Sequence, residues 1–343
     1  MIESWAAFTI GAAALQAART AAQRHVASRL STDAGNFARF LYGWPVAAAY
    51  LSALALSGAV LPAPTPKALL ILAGGAVAQV LATRALILAV MGGNFGTGVA
   101  YSKTDVVQAA AAEWVLMGVR QSGGGLLGIL IATLGVMLMA TKQGAAFLRT
   151  LLTGWTQRAA LWGLAAGTGY AISGVAYRAA ALELGGAAIP SAAVALVIAL
   201  TMQSLGMAAW LGFRAPRDLQ RVLADWRVSG LAGLAGGMGS ICWFSALALA
   251  PVAQVRTLGL SELGFGLLIS VFFFRERPRA AEYAGAAVMA IGIAVLLNAG
   301  LRTGGIAILS RRHWLRSLPQ GRNAKSAVRQ MRTSRRLRSE QVG

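Results

Sequence analysis

Six charged residues lie inside long apolar stretches of this sequence: Arg84, Lys103, Asp105, Glu113, Arg256 and Glu262. A charge at the centre of a bilayer costs at least about 2.5–3.5 kcal/mol on insertion scales, so such residues are kept for pairing or for function. Three are basic and three acidic, which permits mutual neutralisation around a shared cavity. Gln108, Gln203, Gln254, Ser261 and Trp243 accompany them in the same stretches. The chemistry open to this set is the holding of a small polar solute and the gain or loss of a proton. Paired catalytic groups gathered at one end of the apolar segments are not found.

Spacing narrows the pairings. Asp105 and Gln108 are three apart and share one helix face. Arg256 and Glu262 are six apart, about 120° around the axis of a straight helix, so each needs a partner elsewhere. Lys103 with Asp105 opens one apolar segment, and Gln254 with Arg256 opens another. Lys103 and Arg256 have two readings, as cations snorkelling at an interface or as groups lining a solute path. An acid follows each of them deeper in its helix, Glu113 and Glu262, and this favours the path. Glu262 stands in LGLSELGFGLLISVFFF with Ser261 as its polar neighbour, and is the leading candidate to carry a proton or hold a substrate amine. The candidate solute-path set is therefore Glu262, Arg256, Gln254, Lys103, Asp105, Gln108, Glu113, Arg84 and Trp243.

Other chemistry has little support. His25 and His313 stand alone, without a second ligand at metal spacing. No phosphate-binding loop points to ATP hydrolysis, and no motif calls for a cofactor. Trp155, Trp162 and Trp314 read as an interfacial belt. The one cysteine, Cys242, sits in an apolar run, so no disulfide framework exists.

The elements that must position these residues are membrane helices. Of 343 residues, 57% are apolar and 12% charged. Soluble domains carry about 25% charged residues, so a water-facing surface of normal extent cannot be built here. Spanning needs about 20 mostly apolar residues. Ten segments qualify: 4–22, 36–57, 67–91, 94–118, 124–141, 158–178, 188–213, 228–249, 252–273 and 281–300. LPAPTP, RQSGGG, FRAPRD and RERPR punctuate them, since proline and glycine end helices readily. The first segment has no basic residues ahead of it and reads as a retained helix. An outer-membrane barrel would show short alternating segments instead. The expected fold is all-α and polytopic. Glycines inside the segments, among them Gly92, Gly96, Gly124, Gly128, Gly233 and Gly237, read chiefly as sites of close helix packing.

The chain also matches itself at an offset of 157 residues. Trp5 falls on Trp162, Arg120 on Arg277, Gly128 on Gly285 and Gly135 on Gly292. The coincidences mark two five-helix halves, 1–141 and 158–300, joined by 142–157 and followed by a basic tail, 301–343. Five crossings per half would invert the second relative to the first, an architecture common among secondary transporters.

The segments GVAYSKTDVVQ (98–108), GLLGILIATLGVMLM (125–139), YRAAALEL (177–184) and WFSALALAPVAQVRTLGLSELGFGLLISVFFFRERPRAAEYAGAAVMAIGIAVLL (243–297) resemble the EamA-like branch of the drug/metabolite transporter superfamily. The resemblance covers about residues 1–300. It departs at one point: the acidic turn carrying Glu276 has Val119 as its first-half counterpart. It implies a ten-helix transporter of small metabolites or drugs in the cell membrane, driven by protons or by the solute gradient alone. The competing class is an integral membrane enzyme or a non-transporting scaffold.

Charge placement bears on partners and orientation. Residues 311–343 hold ten Lys or Arg against Glu340, supplying +9 of the net +20. That tail reads as a segment on anionic lipid, each basic residue worth about 1 kcal/mol near the surface, rather than a nucleic-acid binder. The expected partners are thus a small-molecule substrate and membrane lipid, with oligomeric state open. Odd-numbered loops, with Arg39 among them, carry 14 Lys or Arg and point to both termini outside. The tail and the family resemblance imply both termini inside, and that orientation is preferred.

Overall fold

The computed structural model describes residues 4–26, 31–91, 95–140, 156–224 and 226–302. Gly92, Trp155, His313, Trp314, most of the joining segment and nearly all of the tail lie outside them, as do the His25 side chain and the surroundings of Gly96. Residues 1–302 make one compact unit. It is all-α, with no strand among the described residues.

The helices run α1 (Ser4–Val26), α2 (Thr32–Leu56), α3 (Pro66–Met91), α4 (Phe95–Ser102), α5 (Asp105–Met117), α6 (Gly123–Ala140), α7 (Arg158–Leu184), α8 (Ala188–Arg214), α9 (Pro216–Ala224), α10 (Trp226–Leu249), α11 (Val252–Gly259), α12 (Ser261–Phe272) and α13 (Ala280–Arg302). Taking α4 with α5 and α11 with α12, and setting the short α9 aside, gives the ten segments expected. By length and composition, 66–91, 158–184, 188–214, 252–272 and 280–300 are each able to cross a membrane. Helices α1 and α2 reach spanning length too, at about 1.5 Å per residue, but carry more polar side chains. Large apolar side chains such as Leu70, Val77, Leu81, Leu130 and Phe272 are exposed on the outer surface, where lipid is their natural solvent.

Several boundaries differ from expectation. α7 continues past Arg178 to Leu184, because Ala179–Leu184 is apolar apart from Glu183 and nothing there breaks a helix. The second half of FRAPRD opens a short amphipathic helix, α9, that buries Val222. Arg39 is not a loop residue: Ser31 caps α2, accepting from Ala34 N at 3.4 Å, and Arg39 lies two turns inside.

Packing follows an exchange of halves. α3 packs on α7 as α10 packs on α1; α4 and α5 pack on α7 as α11 and α12 pack on α1; α2 meets α10 as α8 meets α3. Counterparts also meet one another: the interrupted helices through α5 and α11, α2 with α8, and α6 with α13. The last of these is built from the four glycines that mark the repeat. A Cβ at Gly128 would lie 2.8 Å from Gly292 O, and one at Gly135 would lie 2.7 Å from Gly285 O. Only residues without a Cβ allow that approach, which is how helices associate where lipid offers apolar groups no incentive to cluster.

Candidate functional site

Both interrupted helices break in the same way. Lys103 N donates to Val99 O and Ala100 O, each at 3.2 Å, and Leu260 N donates to Arg256 O at 3.2 Å and Thr257 O at 3.1 Å. Such shared donors mark a tightened turn. Hydroxyls bond back into each segment, Thr104 Oγ1 to Tyr101 O and Thr257 Oγ1 to Ala253 O, both at 2.6 Å, an arrangement that bends helices. Beyond each break a new helix opens with a carboxylate in its first turn, Asp105 on α5 and Glu262 on α12. There the helix dipole favours negative charge. These two acids are 157 residues apart, the same offset that aligns the halves.

The acids are paired across the halves. Lys103 Nζ, from the first break, donates to Glu262 Oε1, and Gln16 Nε2 of α1 donates to Oε2 at 2.7 Å. Arg256, four residues before the second break, places Nη1 3.4 Å from Asp105 Oδ2 and donates from Nη2 to Tyr170 O at 3.1 Å. Its guanidinium lies 5.9 Å from the Tyr170 ring centroid and 5.7 Å from that of Trp243. Trp243 in turn packs against Gly259, where a Cβ would fall 2.3 Å from the indole. Gln108 extends the network, donating to Thr104 Oγ1 at 2.8 Å and accepting from Thr168 Oγ1 at 2.6 Å. Asp105 Oδ1, Arg256 Nε and Ser261 Oγ are buried without a hydrogen-bond partner. In a protein interior such unmet capacity marks a place where another group can be received.

A third ion pair is of a different kind. Glu113 is fully buried, and its two oxygens accept from Val252 N at 2.8 Å and Ala253 N at 3.2 Å, capping α11. Arg178 Nε lies 3.4 Å from Glu113 Oε1, while its Nη1 donates to Leu247 O at 2.7 Å and Ala250 O at 2.5 Å. A first-half carboxylate thus fixes the start of the second half's interrupted helix, with its hydrogen bonds taken.

The structure therefore brings Lys103, Asp105, Gln108, Arg256, Glu262 and Trp243 into one lattice and sets the other three apart. Glu113 is the clamp just described. Gln254 is half-buried on α11. Arg84 lies in a separate cleft with Asp33, Trp210 and Arg214, its guanidinium 5.4 Å from the Trp210 ring centroid. Sequence reasoning missed Gln16, Thr168, Tyr170, Arg178 and Arg39. Arg178 looks like the end anchor of a segment thought to stop there, and Arg39 like loop charge. Beside the lattice, Tyr177 donates to Gln79 Oε1 at 2.7 Å, and Gln203 Nε2 bonds both at 2.8 and 3.1 Å. A small cavity borders the lattice between α1, α2 and α10, lined by Gln16, Arg39, Gly236, Gly239, Ser240 and Trp243.

Comparison with known proteins agrees with this architecture. Residues 157–298 match the model of the EamA-like transporter family, part of the drug/metabolite transporter superfamily. A solved structure titled only "Crystal structure of protein" superposes with a TM-score of 0.64 at 15% identity, covering 86% of this chain and 98% of its own. That likeness establishes the fold. No curated protein matches the sequence.

Proposed function

We propose that this chain, whose residues 157–298 belong to the EamA-like transporter family, carries a small polar solute across the cell membrane as a secondary transporter. The observation that carries the proposal is the pair of interrupted helices whose second segments open on carboxylates, each neutralised by a cation of the opposite half. Discontinuous helices meeting at the interface of repeats are where secondary transporters place solute and coupling ions. In the arrangement described, Lys103 and Gln16 occupy Glu262. A proton or a solute amine that takes over the Glu262 charge releases Lys103 and loosens the contact between the two breaks. The halves then rock about the glycine-lined crossing of α6 and α13. Protons are the proposed coupling ion, with Glu262 the group that carries them. The basic tail rests on anionic lipid.

Counterflow into proteoliposomes tests the class. A carrier preloaded with its solute takes up labelled solute transiently above equilibrium, and this is the expected result. A scaffold gives no flux, and an enzyme changes the solute chemically without moving it. Either outcome contradicts the proposal.

A further inference from the structure

We infer that the transported solute bears a compact anionic group, a carboxylate or a phosphate, and that Arg39 receives it; the inference rests on the transporter reading above. It begins from a charge count in the interior. The cations Lys103, Arg178 and Arg256 each have a carboxylate within ion-pair distance: Glu262, Glu113 and Asp105. Arg39 is a fourth cation. It is half-buried, among the described residues no carboxylate pairs with it, and its guanidinium lies 5.5 Å from the centroid of the Phe40 ring. An aromatic face does not neutralise a guanidinium, and an unpaired ion in partly buried surroundings is costly.

The cation lines a small cavity, about 10 Å³ in the arrangement described, that must widen to admit a carboxylate or phosphate. Gln16, Ser240 and Trp243 line that cavity with it, and small residues, Ala235, Gly236 and Gly239, form the rest of the wall. Ser240 Oγ donates to Gly236 O at 2.8 Å, so what it offers the cavity is an acceptor. Two of the wall residues belong to the ion lattice: Gln16 bonds Glu262, and Trp243 lies beside Arg256. An anion held by Arg39 therefore sits next to the side chains that decide whether Glu262 stays paired. Planar, forked guanidinium donors suit carboxylate and phosphate oxygens.

The test is binding to the purified full-length protein in lipid nanodiscs. Unfolding midpoints and calorimetric titrations are recorded for small carboxylates, phosphate monoesters, neutral polyols and tetraalkylammonium ions. Anions of one of the two classes are expected to raise the midpoint and bind measurably, and the responding class identifies the group. Arg39→Gln is expected to weaken that binding about tenfold or more, with Arg39→Lys retaining part of it. Gly239→Ala, whose Cβ would meet only Leu15 Cβ at 3.9 Å, is expected to narrow the cavity and weaken binding while leaving the ligand-free midpoint near wild type. If Arg39→Gln does not fold, Gly239→Ala and Arg39→Lys decide the matter. Binding confined to cations or neutral solutes, or anion binding untouched by both variants that fold, overturns the inference. Proteoliposome flux of a cation or a neutral solute, with none of anions, also overturns it while leaving the transporter reading standing. Absence of flux for every class instead removes the transporter reading.

Discussion

Glu262 and Glu113 are both carboxylates in apolar surroundings, and their partners separate their roles. Glu113 has two backbone donors and an arginine at one helix start and is fully buried, so its charge is engaged in holding that start. Glu113→Gln leaves Arg178 uncompensated, and breaking a buried pair this way costs about 3–5 kcal/mol. A lowered unfolding midpoint, with binding by the surviving folded fraction near normal, is the expected outcome; loss of binding at unchanged stability would place Glu113 in the solute path. Asp105→Asn is expected to release Arg256 and weaken solute binding more than it lowers stability, which paired titration and unfolding measurements would check. Five of the six charges in the cross-half ion pairs, Lys103, Asp105, Glu113, Arg256 and Glu262, were legible, because charge within an apolar run stands out. Their partners were less so: the sequence offers Arg84 as the third cation, whereas the structure uses Arg178. Position along a helix cannot reveal which distant segment lies opposite.

The ten long segments were readable because lipid demands about 20 apolar residues of each. The breaks at Lys103–Thr104 and Leu260 were not, since the polar run Ser102–Asp105 and the single Gly259 each sit, without a proline, within a segment long enough to span. What interrupts the helices is hydroxyl back-bonding and the cross-half ion pairs, both invisible to local pattern. The glycines behaved as packing residues. At Gly135 a Cβ would lie 2.3 Å from Met289 N, whereas at Gly123 nothing lies within 4 Å. Gly135→Leu is therefore expected to prevent stable assembly of α6 on α13, beyond the usual overpacking cost of about 1–3 kcal/mol. Gly123→Ala should be tolerated. Yield of monodisperse protein in mild detergent separates the two, and equal behaviour would show the crossing to be more plastic than described.

At the scale of the whole molecule, five crossings in each half would set the second half across the membrane in the opposite sense. Reporter fusions at Thr65 and Ser122 should therefore report one side and a fusion at Arg217 the other; any different partition contradicts ten crossings. Deleting 319–343 should leave flux largely intact, because a stretch so rich in charge has no place among apolar helices. Loss of flux in a truncated protein that still inserts would assign the tail a part in transport. The account as a whole turns on whether the lattice at the two breaks moves solute or merely holds helices together. Glu262→Gln keeps the shape of the side chain and one of its two acceptor oxygens and removes its ability to carry charge. Proteoliposomes holding this variant, matched to wild type for inserted protein and assayed across neutral pH, are predicted to lose coupled flux. Wild-type flux in the Gln variant would contradict the assignment of Glu262 and, with it, the proposed mechanism.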